Sequence, residues 1–284
     1  MIPQEVVHWL RENALGEVAE TRPASGGCIN NGVHLTTTKG ERFFLKTNRG
    51  APPDMFACEA EGLRALQVPD GPRVPKVYLV GEHFLLLEDL LPRANPPKAF
   101  WEALGRALAH LHTHTNPSFG FTHDNYIGST PQPNPWTEDG YQFFAEHRLR
   151  YQTRLARRRG LLSVAHEQAV ERLIQRLPEL IPPQPASLIH GDLWRGNLLI
   201  DENGAPALID PATHFGWAEA ELGMMGLFGG FSPVCIAAYQ EVRPCPPGLQ
   251  ERYPIYNLYH LLNHLNLFGG GYLQQVEVIL KRFA

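Results

Sequence analysis

The spacing of apolar residues changes period several times along the chain, and each change predicts an element. Val6, Val7, Trp9 and Leu10 recur at helical spacing, so a short amphipathic helix is expected to open the chain and stop near Gly16. Residues 17–22 read as a strand, broken by Pro23-Ala24-Ser25-Gly26-Gly27-Cys28. Residues 29–38 and 42–46 read as two more strands around a Lys39-Gly40 turn, the second ending on Lys46. After Pro52-Pro53, Asp54 is placed to N-cap a helix carrying Met55, Phe56, Ala60, Leu63 and Leu66. Strand character returns at 74–80 and 83–87 and ends at Glu88-Asp89-Leu90-Leu91-Pro92.

Beyond that point helical periodicity dominates. Phe100, Leu104, Leu108 and Leu111 form one stripe of a helix expected over 96–115. Further helices are predicted from Thr137 to Arg159, after the cap Ser163 to residue 177, after Ser232-Pro233 to 239, and over 250–268 and 272–283. Between the first two lies 116–136, a polar stretch punctuated by Pro and Gly and longer than most connections, hence expected to be functional. Three short apolar runs, 187–189, 198–200 and 207–209, interrupt the helices, the last two joined by a hairpin signal at Asn203-Gly204. The predicted fold class is α+β in two lobes. Residues 1–90 would form an antiparallel sheet with one main helix, and residues 91–284 a mostly helical lobe.

Composition narrows the partners. A chain of 284 residues with 43% hydrophobic content can bury a sizeable core, and a net charge of −4 gives no footprint for nucleic acid or an anionic membrane. The one basic run (Arg154, Arg157, Arg158, Arg159) sits at a predicted helix end, where cations favour the helix dipole. Cys28, Cys58, Cys235 and Cys245 have neither metal spacing nor the density of a disulfide scaffold. Glu5, Arg11 and Glu12 lie among the first apolar residues, unlike a secretory leader, and no apolar run reaches spanning length. A reducing, cytoplasmic setting is the expectation. His110, His112 and His114 do not form a metal site, because only the outer two share a helix face and no carboxylate joins them; they are read as complementing a helix dipole.

The candidate chemistry lies in Leu188-Ile189-His190-Gly191-Asp192-Leu193-Trp194-Arg195-Gly196-Asn197 and in Asp210-Pro211-Ala212. Two strands flanking a turn would bring Asp192, Asn197 and Asp210 to one mouth. Phosphoryl transfer needs that set: one carboxylate to orient a hydroxyl, and an amide with a second carboxylate to hold Mg²⁺. The spacing resembles the protein-kinase pattern, with Gly191 in place of an arginine and Asp210-Pro211-Ala212 in place of Asp-Phe-Gly. Lys46 would pair with ATP phosphates, held by a glutamate of the following helix. Glu59 is chosen over Glu61 because it falls in the first turns, facing the preceding strand. Gly26, Gly27 and Cys28 would cover the phosphates with close backbone. Backbone groups at Glu88 and Leu90 would meet adenine at a hinge. Only eight residues separate Asp210 from Glu219, too few for a regulated activation loop. Trp101, Trp194, Trp217 and Tyr256 are candidates for a cleft wall, with core packing the default.

The whole chain resembles the fructosamine kinase and ketosamine-3-kinase family of the protein-kinase-like superfamily. The resemblance is carried by Gly26-Gly27-Cys28-Ile29, Phe44-Leu45-Lys46, Phe119-Gly120-Phe121, Asn134-Pro135-Trp136, His147-Arg148-Leu149, the Asp192 motif, Phe228-Gly229-Gly230-Phe231 and Leu262-Asn263-His264. It implies ATP- and Mg²⁺-dependent phosphorylation of the sugar 3-hydroxyl of ketosamines, either small molecules or glycated protein lysines, followed by release of the amine. It implies Trp194 and His264 at the sugar end of the cleft, with Trp136 a third candidate. Cys28 is either an inert loop residue or a redox-sensitive thiol, so the chain is expected as a monomer or a redox-linked dimer. Arg195 and Leu267 depart from the family pattern, and Leu267 bears on sugar preference. Two alternatives are an aminoglycoside- or choline-type phosphotransferase and a nucleotide-binding pseudokinase scaffold.

Overall fold

Alternation of side chains across the first strands builds a sheet with two different faces. The computed structural model describes residues 2–24 and 31–284; Gly26, Gly27 and Cys28 lie outside the described residues. Helix α1 (Gln4–Glu12) precedes strands β1 (Val18–Pro23), β2 (Asn31–Thr37) and β3 (Arg42–Thr47). Helix α2 (Met55–Ala65) follows, then β4 (Val77–Gly81) and β5 (Phe84–Glu88). The five strands pair antiparallel in the order β1-β2-β3-β5-β4. Leu35, Phe43, Leu45, Phe84 and Leu86 point to one face and bury Val6 and Leu10 of α1. Leu85 and Leu87 point to the other, where Phe56, Ala60 and Leu63 of α2 pack. Lys46, registered opposite Leu85, therefore faces α2 from within an apolar strand.

The rest of the chain is mainly helical. Helix α3 (Phe100–Thr113) leads into the short strand β6 (Thr115–Asn116) and the hairpin β7 (Asn125–Ile127) and β8 (Thr130–Gln132). Helix α4 (Gly140–Phe144) continues through a π-helical turn (Ala145–Arg150) into α5 (Tyr151–Arg158), and α6 spans Val164–Leu180. Strand β9 (Ala186–Ile189) pairs with β6 and with β12 (His214–Gly216), while β10 (Leu198–Ile200) pairs with β11 (Pro206–Leu208). Helices α7 (Ala218–Leu227), α8 (Pro233–Val242), α9 (Leu249–Phe268) and α10 (Leu273–Phe283) complete the fold. One apolar cluster joins α2 and β5 to α3, β10 and α7, and a second lies among the C-terminal helices.

Several expectations need correction. Asp54 does not cap α2 with its side chain; its Oδ1 accepts a hydrogen bond from the Tyr126 hydroxyl instead. The helix expected from Thr137 begins at Gly140, because the Asp139 carboxylate accepts from the Tyr141 and Gln142 N–H groups and fixes the start there. Pro178 lies inside α6 rather than ending it. His112 does not serve a helix terminus: it is fully buried, four residues after Leu108 on the apolar stripe of α3. Trp217 and Tyr256 are buried against each other, in keeping with the core packing taken as the default. No described helix is long and apolar enough to cross a membrane.

Candidate active site

The lysine at the end of β3 is where the two halves of the site meet. Lys46 Nζ lies 2.6 Å from Glu59 Oε1 and 2.8 Å from Asp210 Oδ1. Burial alone would lower its pKa, but the two carboxylates outweigh burial and hold the ammonium charged, above its ordinary value. Glu61 points away from Lys46 and pairs with His123 at 2.9 Å. Helical geometry explains the difference, since residues two apart lie on different faces.

The segment from His190 to Asn197 is cross-linked to the Asp210 segment. The buried His190 ring donates from Nε2 to the Ile209 carbonyl at 2.8 Å, and Ala212 N–H donates to the His190 carbonyl at 2.9 Å. Burial lowers the His190 pKa, consistent with a neutral ring whose Nδ1 accepts from Asp192 N–H. Gly191 has φ +83°, and a Cβ there would lie 2.2 Å from the Ala212 carbonyl oxygen. That close approach excludes any larger residue and explains the glycine in place of arginine. Asn197 directs its Nδ2 inward, 2.8 Å from the Asp192 carbonyl, and its Oδ1 has no hydrogen-bond donor among the described residues. Asp210 adopts φ +56°, a strained conformation for a non-glycine residue, with its side chain 44% exposed. Burial, reinforced by the Asp210 charge and only partly offset by Asn197, pushes the Asp192 carboxyl up to about 7. Desolvation disfavours the charged form and is the largest cause of the shift.

Support from below comes from residues that sequence reasoning did not assign. Glu221 of α7 accepts from His190 N–H at 3.2 Å and from Gly191 N–H at 2.8 Å. Its Oε1 also takes His112 Nε2 at 2.9 Å, and His112 Nδ1 lies 2.9 Å from the Tyr239 hydroxyl. The available signal was a carboxylate inside the apolar run of α7, which demands a buried partner. At the end of β5, Asp89 binds His34 Nδ1 at 2.8 Å and Leu91 N–H at 3.1 Å. The Glu88 carboxylate is committed to Arg73, 2.6 Å away, which also pairs with Asp201 and Glu202. The Leu90 carbonyl accepts from Glu202 N–H, and the Leu90 N–H has no partner among the described residues.

The three aromatic candidates rest on separate elements. Trp194 is 40% exposed and its ring lies over Gly196, where a Cβ would come within 2.3 Å of the indole. His264 of α9 is packed among Phe228, Phe268 and Tyr272, at centroid distances of 4.9, 5.5 and 5.1 Å. Trp136 is 49% exposed and leans on Phe215 at 6.1 Å. Arg195 packs its stem against Gly230 and donates to the Leu198 carbonyl at 2.6 Å.

The chain that carries this site is similar to known proteins over nearly its full length. Residues 3–284 match the sequence model of the family described as fructosamine kinase. A Synechocystis protein named a probable ketoamine kinase is 44% identical over 271 residues, 93% of this chain and 90% of the relative. The chloroplastic protein-ribulosamine 3-kinase of japonica rice is 39% identical, covering 96% of this chain and 81% of its own. A crystal structure from Thermobifida fusca, assigned as a fructosamine-3-kinase, superposes with a TM-score of 0.89 at 32% identity over 99% and 98% of the chains. An ADP-bound aminoglycoside phosphotransferase shares the fold at a TM-score of 0.66 and 13% identity, over 99% and 97%. The chain belongs to the fructosamine kinase family and is a kinase with the bilobal protein-kinase-like fold.

Proposed function

We propose that the protein transfers the γ-phosphoryl group of ATP to the sugar 3-hydroxyl of a ketosamine, a ribulosamine or fructosamine adduct of an amine. The observation that carries this reading is Lys46 held between Glu59 and Asp210, with the Asp210 carbonyl 3.4 Å from Asn197 Nδ2, which also bonds the Asp192 carbonyl. Lys46 is the group for the ATP phosphates, and Glu59 fixes its position. Gly26, Gly27 and Cys28 would close over the same phosphates. The Leu90 N–H and the Glu88 backbone are the groups for adenine. Asp210 and the Oδ1 of Asn197 would supply hard oxygen donors, which fit Mg²⁺ better than a softer metal. Bound there with the nucleotide, Mg²⁺ would neutralise charge on the phosphate oxygens.

Asp192 orients the acceptor hydroxyl and takes its proton as the new O–P bond forms and the bond between Pγ and the β–γ bridging oxygen breaks. A carboxyl raised toward neutrality is a better proton acceptor than an ordinary aspartate. Trp194 offers an apolar face to the sugar carbons, with His264 and Trp136 as further walls of that end. Free ketosamines and glycated protein lysines share the chemistry that this cleft would recognise. The resulting 3-phosphate would destabilise the adduct and free the amine, which would make the reaction a deglycation. Incubating a ribulosylated peptide with MgATP should add one phosphate mass to the adduct and then return the unmodified lysine. Phosphate appearing on serine, threonine or tyrosine instead, with the adduct intact, would overturn the reading.

A further inference from the structure

Apart from Trp136 at its end, the polar stretch 116–136 has no role in the chemistry above, yet its hairpin touches both halves of the site. Side chains of β7 alternate, so its neighbours Asn125 and Tyr126 point to opposite sides. On the outer side, the Tyr126 hydroxyl donates to Asp54 Oδ1 at 2.6 Å, His123 Nδ1 sits 2.9 Å from Glu61, and Cys58 Sγ donates to the Asp124 carbonyl at 3.4 Å. Asp54, Cys58 and Glu61 form one stripe along α2, the helix that carries Glu59.

The inner side holds the chain just after Asp210. Asn125 Nδ2 donates to the Thr213 carbonyl at 2.8 Å, and Gln132 Nε2 donates to the Ala212 carbonyl at 3.1 Å. These two amides are tied to each other at 2.7 Å, and Gln132 Oε1 accepts from the Tyr259 hydroxyl at 2.6 Å. Asn134 joins the same cluster and is held by the buried Arg148 guanidinium at 2.7 Å. The α2 helix itself touches that segment: a Cβ on Gly62 would lie 2.8 Å from Thr213 Oγ1.

We infer that the β7–β8 hairpin is a fixed brace that sets α2 against the 210–213 segment, so that Glu59 and Asp210 both reach Lys46 before any nucleotide arrives. Tyr126 and Asn125 are positioning residues of this brace. It takes the place of a movable activation segment, for which the chain between Asp210 and α7 leaves no length. The inference rests on the assignment of Lys46 and Glu59 to the nucleotide, and the test separates the two.

Affinity for MgADP is measured by calorimetry on the wild type, Tyr126→Phe, Glu59→Gln and the double variant. Tyr126→Phe should weaken MgADP by about fivefold, part of the roughly tenfold or more that one hydrogen bond to a charged acceptor is worth. In the Glu59→Gln background the same change should matter by less than about twofold, because the group it positions is already lost. In the nucleotide-free protein, Tyr126→Phe should also speed amide exchange across α2 and leave α10 unchanged. Unchanged affinity or unchanged exchange in α2, or an equal loss in both backgrounds, would overturn the brace. A silent Glu59→Gln would overturn the nucleotide assignment and the brace with it.

Discussion

Replacing Glu221 with glutamine should unsettle the catalytic segment more than any surface change of equal size. Three donors converge on its carboxylate: His190 N–H at 3.2 Å, Gly191 N–H at 2.8 Å and His112 Nε2 at 2.9 Å. Burial alone would push this carboxyl up, but the His112 ring and the backbone donors outweigh it and hold the pKa below its ordinary value. Glutamine has one acceptor oxygen, so its amide group must face a backbone N–H in either orientation. The unpaired donor costs about 2 kcal/mol, and the loss of charge assistance in the others about 1 kcal/mol each, roughly 4 kcal/mol in all. That is a large share of the ~5–15 kcal/mol by which a typical domain is stable. Equilibrium urea unfolding at neutral pH gives the difference directly. The sign with pH follows from the lowered pKa: the Glu221 carboxylate stabilises the fold above its unfolded value and loses that contribution as pH falls through the folded one. The deficit of Glu221→Gln should therefore shrink in acid. A loss under about 1 kcal/mol at neutral pH would refute the reasoning, since every mechanism invoked costs at least that much.

Asp192→Asn should lower kcat by several orders of magnitude and leave MgADP affinity within about threefold, whereas Asp210→Asn should weaken MgADP as well; steady-state kinetics with calorimetry checks both. His260 is buried, and burial, with the nearby His264 and Arg148 charges, lowers its pKa to about 3. Its contribution is complete above the unfolded value near 6.5 and is lost as pH falls toward 3, at about 1.4 kcal/mol per pH unit. Burial lowers His190 and His214 as well, so urea unfolding between pH 6 and 5 should show a fall to which His260 adds this slope, and His260→Gln should make it shallower.

The N-terminal sheet was legible because residues 42–46 are rich in β-formers and follow the Lys39-Gly40 turn, and the Asn203-Gly204 turn joins β10 to β11. Its place in the first turns of α2 favours Glu59 over Glu61 in the sequence, and it is Glu59 that pairs with Lys46 while Glu61 pairs with His123. Long-range partners were not legible. Nothing near His112 in sequence announces Glu221, 109 residues away, and the amide cluster of Asn125, Gln132 and Asn134 reads locally as ordinary loop polarity. The side chain of Asp54 goes to Tyr126 because tertiary contact outcompetes the local cap. The raised pKa of Asp192 is likewise a property of burial, which residue type alone does not reveal.

The central claim is that the acceptor is a ketosamine, and an acceptor panel tests it most directly. ADP release is followed with ribulosyl-lysine, fructosyl-lysine, free glucose, choline and kanamycin, on the wild type and on Trp194→Ala. The account predicts the highest kcat/KM on one of the two ketosamines, with Trp194→Ala lowering it about tenfold or more through lost contact with the sugar face. Turnover on choline or kanamycin exceeding that on both ketosamines would contradict it.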